Sequence, residues 1–241
     1  MLRDRFLDAV HRLAVAGSRM ELSPSLLSRA CVEVLPGVEG AGGSMAQKAL
    51  RVPLGWSGDD VGTAERLQTT LGDGPCLTAM HTGAPLVADA AVAARRWPVY
   101  FDDLTRLTPF RSVASFPLRA DDEKPFGALD LYAHSSELSS TLPLPDIADA
   151  VAGPIAMIVS GAFAQLYDDD ARVPTWLDAD PAVDRMSVWT AVGMLMADSG
   201  RTDADALATL RAWAYSRGQS LDEVAGSLVD RELTVDAILV D

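Results

Sequence analysis

Between Asp4 and Ala16, apolar residues fall at positions 6, 7, 10, 13 and 14, the spacing of one helical face. Ser23 and Pro24 supply a cap and a first-turn proline for a second helix, which runs to about Leu35 before Pro36-Gly37. From Val38 to about Pro53 the pattern becomes strand-like and rich in small residues, with Gly40, Gly42 and Gly43 close together. Asp60 to Leu71 predicts a short helix ended by Gly72-Asp-Gly74-Pro75. Arg111–Arg119 and Phe126–His134 flank the polar turn Asp121-Asp-Glu-Lys-Pro125 and predict a hairpin, with Val113, Ser115 and Pro117 on one face. Asp146 to Tyr167 has apolar residues at helical intervals, and Pro154 within it predicts a kink or a restart. Trp97-Pro98 reads as a further helix start.

The pattern changes after Tyr167. Asp168-Asp-Asp170 and Pro174 mark a solvated linker. Three capped helical segments follow. Asp180-Pro181 opens the first, with Val188, Val192, Leu195 and Met196 as its apolar stripe and Gly200 as its stop. Thr202 with Asp205 opens the second, which carries Leu207, Leu210 and Trp213 and stops at Gly218. Ser220 with Glu223 forms a capping box for the third, with Leu221, Val224, Ala225 and Leu228 inward. The predicted organisation is an N-terminal helix over 1–20, an α+β domain over 21–167, a linker over 168–179 and a three-helix bundle over 180–241. So small a bundle has little core of its own, so its stripe Val188, Val192, Leu195 and Met196 is expected to join two copies in a homodimer.

Composition narrows the function classes. In 241 residues, 49% are apolar and 22% charged, which excludes a chain disordered throughout. The net charge of −14 opposes nucleic-acid binding through the bulk field, leaving only a small local site for it, and keeps the chain off anionic membranes. No run of ~20 uncharged apolar residues and no secretory leader are evident, so a cytoplasmic protein without a membrane partner is expected. Cys31 and Cys76 make neither a disulfide framework nor a metal site, and His11, His81 and His134 lack ligand spacing. Haem or metal ligation by His81 or His134 is an open alternative, and no cofactor is identified. Cys76 and His81 are five residues apart; on a helix such side chains point ~140° apart, so a nucleophile–base pair is not expected. A thiol redox enzyme using Cys76 is the weakest reading, and no catalysis is expected.

Three C-terminal segments match a family pattern in order and spacing: Val188-Trp-Thr-Ala-Val-Gly-Met-Leu-Met196, Asp205-Ala-Leu-Ala-Thr-Leu-Arg-Ala-Trp-Ala-Tyr215 and Ser220-Leu-Asp-Glu-Val-Ala225. They resemble an ANTAR domain, an RNA-binding module of bacterial antiterminators. Upstream, Leu71-Gly-Asp-Gly-Pro-Cys-Leu77, Arg96-Trp-Pro98, Arg111-Ser-Val-Ala-Ser-Phe-Pro-Leu118 and Phe126-Gly-Ala-Leu-Asp-Leu-Tyr132 resemble a GAF domain of the kind fused to ANTAR domains in actinobacteria. The resemblance implies an antiparallel sheet flanked by helices, a small-molecule pocket, and antitermination through hairpins in nascent RNA. It places a ligand site at Trp97, Tyr100, Phe101, Phe116, Asp130 and Tyr132.

Within the bundle, Arg211, Arg217 and Arg231 are the candidate RNA cations. Gln219 and Ser220 flank a helix N-terminus that can face a phosphate. Two features depart from the family. Val192 stands where a lysine often precedes the glycine, and residues 176–241 hold five arginines, no lysine and twelve acidic residues, a net of −7. These departures motivate an alternative: a protein-interaction and dimerisation module with a ligand-sensing GAF domain and little or no RNA affinity.

Overall fold

The computed structural model describes residues 1–16, 22–47, 50–120, 124–164 and 180–240. The expected linker, 168–179, lies outside the described residues. Five strands, β1 (Gly40–Gln47), β2 (Leu50–Trp56), β3 (Leu86–Ala88), β4 (Ser112–Leu118) and β5 (Gly127–Ala133), form one sheet in the order β2-β1-β5-β4-β3. Every neighbouring pair is antiparallel. The predicted hairpin is β4–β5, in register from Ser112 opposite Ala133 to Leu118 opposite Gly127.

Strand alternation divides the core in two. Ala114, Phe116 and Leu118 of β4, with Leu129 and Leu131 of β5, face α1 (Leu2–Ala16), α2 (Pro24–Val34) and the segment Leu144–Ala164. The helix expected as a separate segment over 1–20 instead belongs to this core. Phe6, Ala9 and Val10 are buried in it, because its apolar stripe needs a partner and finds α2. Val113 and Tyr132, from the opposite face, pack with Trp97, Tyr100 and Leu104 beneath α3 (Asp59–Leu71), α4 (Pro75–Thr82), α5 (Ala90–Arg96) and α6 (Pro98–Leu107).

Pro154 has the expected consequence. After α7 (Leu144–Ile147) comes a π-helical turn, Ala148–Ala152, where the Gly153 N–H reaches the Ala148 carbonyl, and α8 (Gly153–Ala164) restarts the helix. Proline brings no N–H and crowds the carbonyl four residues back; the wider turn relieves both. Among the described residues, Leu144–Ala164 is long and apolar enough to cross a membrane by length and composition alone. Asp146 and Asp149 interrupt it, and Ile147, Val151 and Ile155 are buried in the sheet core.

The bundle consists of α9 (Asp180–Ser199), α10 (Asp203–Ser216) and α11 (Leu221–Val229), with a short α12 (Val235–Val240). Thr202 and Ser220 cap α10 and α11, and Ser220 with Glu223 completes a capping box. Val188, Val192 and Leu195 are buried with Leu210, Val224 and Leu228 in this bundle's own core. That corrects the expected dimer face: α10 and α11 already cover the stripe, and of its four residues only Met196 is exposed. The bundle also packs on the sheet domain, α9 against β2 and α10 and α11 against α3.

Candidate functional site

The site lies where α3 crosses the sheet. Gly40 and Gly42 of β1 remove side chains from that face. A Cβ on Gly42 would sit 2.7 Å from Glu65 Cδ, so glycine there lets Glu65 reach down to the strands. From β2, Arg51 extends into the same space. Its Nε donates to Cys76 Sγ (2.8 Å) and one terminal nitrogen to the Glu65 carbonyl (3.0 Å). The other terminal nitrogen donates to Glu65 Oε2 and to Asp130 Oδ2 (2.9 Å). Asp130, on β5, also accepts from Ser115 Oγ (2.6 Å) and Gln68 Nε2 (2.9 Å). Tyr132 O–H donates to Glu65 Oε1 (2.7 Å), and Gln68 Oε1 accepts the Cys76 N–H (2.9 Å), fixing the start of α4. Ser44 Oγ lies 3.5 Å from the Cys76 sulfur.

Arg51, Glu65 and Asp130 have no solvent-exposed surface. One guanidinium thus holds two carboxylates away from water. Burial, reinforced by Asp130, outweighs the attraction of Arg51 and pushes the Glu65 carboxyl up to about 7. Burial also raises the Cys76 thiol, so it stays protonated. The arrangement can store or release a proton at Glu65, and it fixes α3 to the sheet through Glu65 and Gln68. The Tyr100 hydroxyl is buried at its edge and, among the described residues, meets no partner in hydrogen-bond geometry.

The expected ligand residues separate. Asp130 and Tyr132 belong to the network; Tyr100 and Trp97 border it and line an adjacent cleft of about 480 Å³, and Phe101 is half-buried beside them. Phe116 points to the opposite face, a correction that follows from strand alternation: Phe116 pairs with Leu129, whereas Ser115 pairs with Asp130. His81 is exposed while Cys76, on the same helix, is buried, and the His134 ring stacks on Phe110. Among the described residues, no group of three His, Cys, Asp or Glu is placed to hold a metal ion.

The candidate RNA residues also separate. Arg211 is half-buried at the end of α3, where its Nε donates to the Thr69 carbonyl (3.1 Å) and its guanidinium covers Gly72. A cation there suits the negative end of a helix. Burial lowers its pKa. Thr70 Oγ1 accepts the Leu221 N–H (3.1 Å), the first of α11. Gln219 and Ser220 line a cleft against α3. Arg217 is exposed over the Trp213 ring, 3.2 Å from its centroid, and Arg231 is exposed at a left-handed turn with φ 63°.

The sequence profile described as GAF domain matches residues 19–142. The chain belongs to the GAF domain family. Among solved structures, the type II free methionine-R-sulfoxide reductase of Thermoplasma acidophilum is 18% identical, with a TM-score of 0.42, over 57% of this chain and 92% of that one. The GAF domain region of a putative membrane protein from Geobacter sulfurreducens is 17% identical, with a TM-score of 0.38, over 52% and 82%. The GAF domain of A. aeolicus nlh2, in an inactive state, is 14% identical, with a TM-score of 0.42, over 66% and 98%. No curated protein matches.

Sequence reasoning missed Arg51, Glu65 and Gln68 as site residues of this GAF domain. The signal available was an arginine inside the apolar run Leu50-Arg-Val-Pro-Leu54, facing a strand with two glycines on one side. Gly42→Ala tests the close approach of α3. The added methyl must displace Glu65, and overpacking of this kind costs about 1–3 kcal/mol, so a thermal melt should show a clear loss. An unchanged melting temperature would mean that α3 lies farther from β1.

Proposed function

We propose that the chain is a cytoplasmic regulator in which a small-molecule-sensing GAF domain controls an ANTAR-like helical unit that binds hairpins in nascent RNA and prevents termination. No reaction is catalysed. The observation that carries this reading is the double role of α3. One side holds Glu65 and Gln68 in the buried network; its last turn, Thr69 and Thr70, holds Arg211 and the first N–H of α11. A ligand or proton that shifts α3 would therefore loosen the helical unit. The docked arrangement half-buries Arg211 and Ser220, so it is the form with the lower RNA affinity. Release presents those two residues beside the exposed Arg217, Gln219 and Arg231.

The test is hairpin-RNA selection with the full chain, followed by affinity measurements at two salt concentrations. Arg217→Ala and Arg231→Ala should each cost about 1–3 kcal/mol and reduce the salt slope by ~0.7–0.9. Failure of the wild-type chain to enrich any hairpin contradicts the RNA reading. It favours the alternative, a protein-interaction module, for which the net charge of −7 over residues 176–241 speaks.

A further inference from the structure

A second cleft, of about 450 Å³, opens between the outer faces of α3 and α6 and the turn joining α10 to α11. Its walls combine groups that a small amphipathic anion requires. Leu67, Leu71 and Leu107 supply apolar surface, and Tyr215 supplies an exposed ring. Arg106 at its edge is paired with Asp103, which cancels that charge. Arg66 is different. It is half-buried, its guanidinium lies 5.7 Å from the Trp56 ring centroid, and among the described residues it makes no hydrogen bond and no ion pair. A guanidinium with its fork of donors unused, set in a concave wall of mixed polar and apolar groups, is suited to a carboxylate or phosphate. The Ser220 hydroxyl accepts the Glu223 N–H and keeps its own hydrogen to donate. The volume is that of a small-molecule site, and such sites favour domain boundaries.

We propose that this cleft binds a small organic anion, a carboxylate or phosphate on an aromatic or aliphatic body, with Arg66 holding the head group and Tyr215 and Leu107 the body. This site is distinct from the buried Arg51 network on the other side of α3, and it requires no RNA affinity in the helical unit. Because both units contribute walls, an occupant also stabilises their docked arrangement.

The test is calorimetric titration of the full chain with 2-naphthoate, with 2-naphthyl phosphate, and with neutral 2-naphthol. Saturable 1:1 binding of either anion, with 2-naphthol ~10-fold weaker or worse, is the expected result. The stronger of the two anions identifies the head group. Arg66→Gln should weaken binding ~10-fold or more, whereas Arg95→Gln on α5 should leave it unchanged. Leu107→Asp, which brings a negative charge to an exposed wall position, gives a second arm should Arg66→Gln not fold. The melting temperature should rise with anion concentration. Absence of saturable binding for both anions, or binding as strong as wild type in both Arg66→Gln and Leu107→Asp, overturns the proposal.

Discussion

Arg51→Met should destabilise the GAF domain by about 3–5 kcal/mol, because it leaves Glu65 and Asp130 buried without their shared cation. For a chain of this length that corresponds to a fall in melting temperature on the order of 10 °C. The loss should depend on pH in a definite direction. In the folded wild type, Glu65 holds its proton up to about 7, well above the usual carboxyl value. The folded state therefore binds more protons than the unfolded one between the two values. The contribution of Glu65 to stability is complete at acidic pH and is lost as pH rises through 7. Removing Arg51 raises the Glu65 carboxyl further, so the variant should suffer most above neutrality and partly recover near pH ~5. Adding Glu65→Gln to Arg51→Met should restore part of the loss, since one buried charge disappears. Equal melting curves for wild type and Arg51→Met at alkaline pH would contradict the network.

Val192→Lys should unfold the C-terminal bundle while leaving the sheet domain folded. Val192 is buried beside Leu195 and Leu210 in the apolar core of the bundle. A lysine there must give up its proton or drag water inward. A depression of roughly three to five pKa units corresponds to ~4–5 kcal/mol at neutral pH, where the cost is limited to deprotonating the lysine. Hydrogen exchange should lose protection in α9, α10 and α11 and keep it in β4 and β5. A folded bundle with stronger RNA binding would instead place residue 192 at the surface.

The two residues behind these predictions mark how far the sequence was legible. Val192 was visible as apolar and helical, because periodicity reports which face avoids water. It does not report what covers that face. The partner lay in α10 and α11 of the same chain rather than in a second copy, and Val188 and Leu195 followed it. The capping box and the β4–β5 hairpin were legible because their determinants are local: Ser220 with Glu223, and alternation around a polar turn. Arg51, Glu65 and Gln68 were not, since charged and polar residues read as solvated faces. Their burial depends on pairing across strands and a helix, up to 79 residues apart in the case of Arg51 and Asp130. Phe116 shows the cost of one residue of register, which moves a side chain to the other face. Arg211 read as a surface cation because nothing in its own helix reveals that the end of α3 lies against it.

In the proposed mechanism, α3 holds the helical unit in a form with reduced RNA affinity. Thr70→Val tests it most directly, because valine has nearly the shape of threonine and removes only the acceptor for the Leu221 N–H. Loss of that bond should weaken docking by about 1 kcal/mol. If the released form is the minor one, its population and the apparent affinity for a selected hairpin should both rise ~5-fold. Hairpin affinity of the full chain should be measured for wild type and Thr70→Val at one fixed salt concentration. The account predicts tighter binding by Thr70→Val; equal affinity, or weaker binding by the variant, would contradict it.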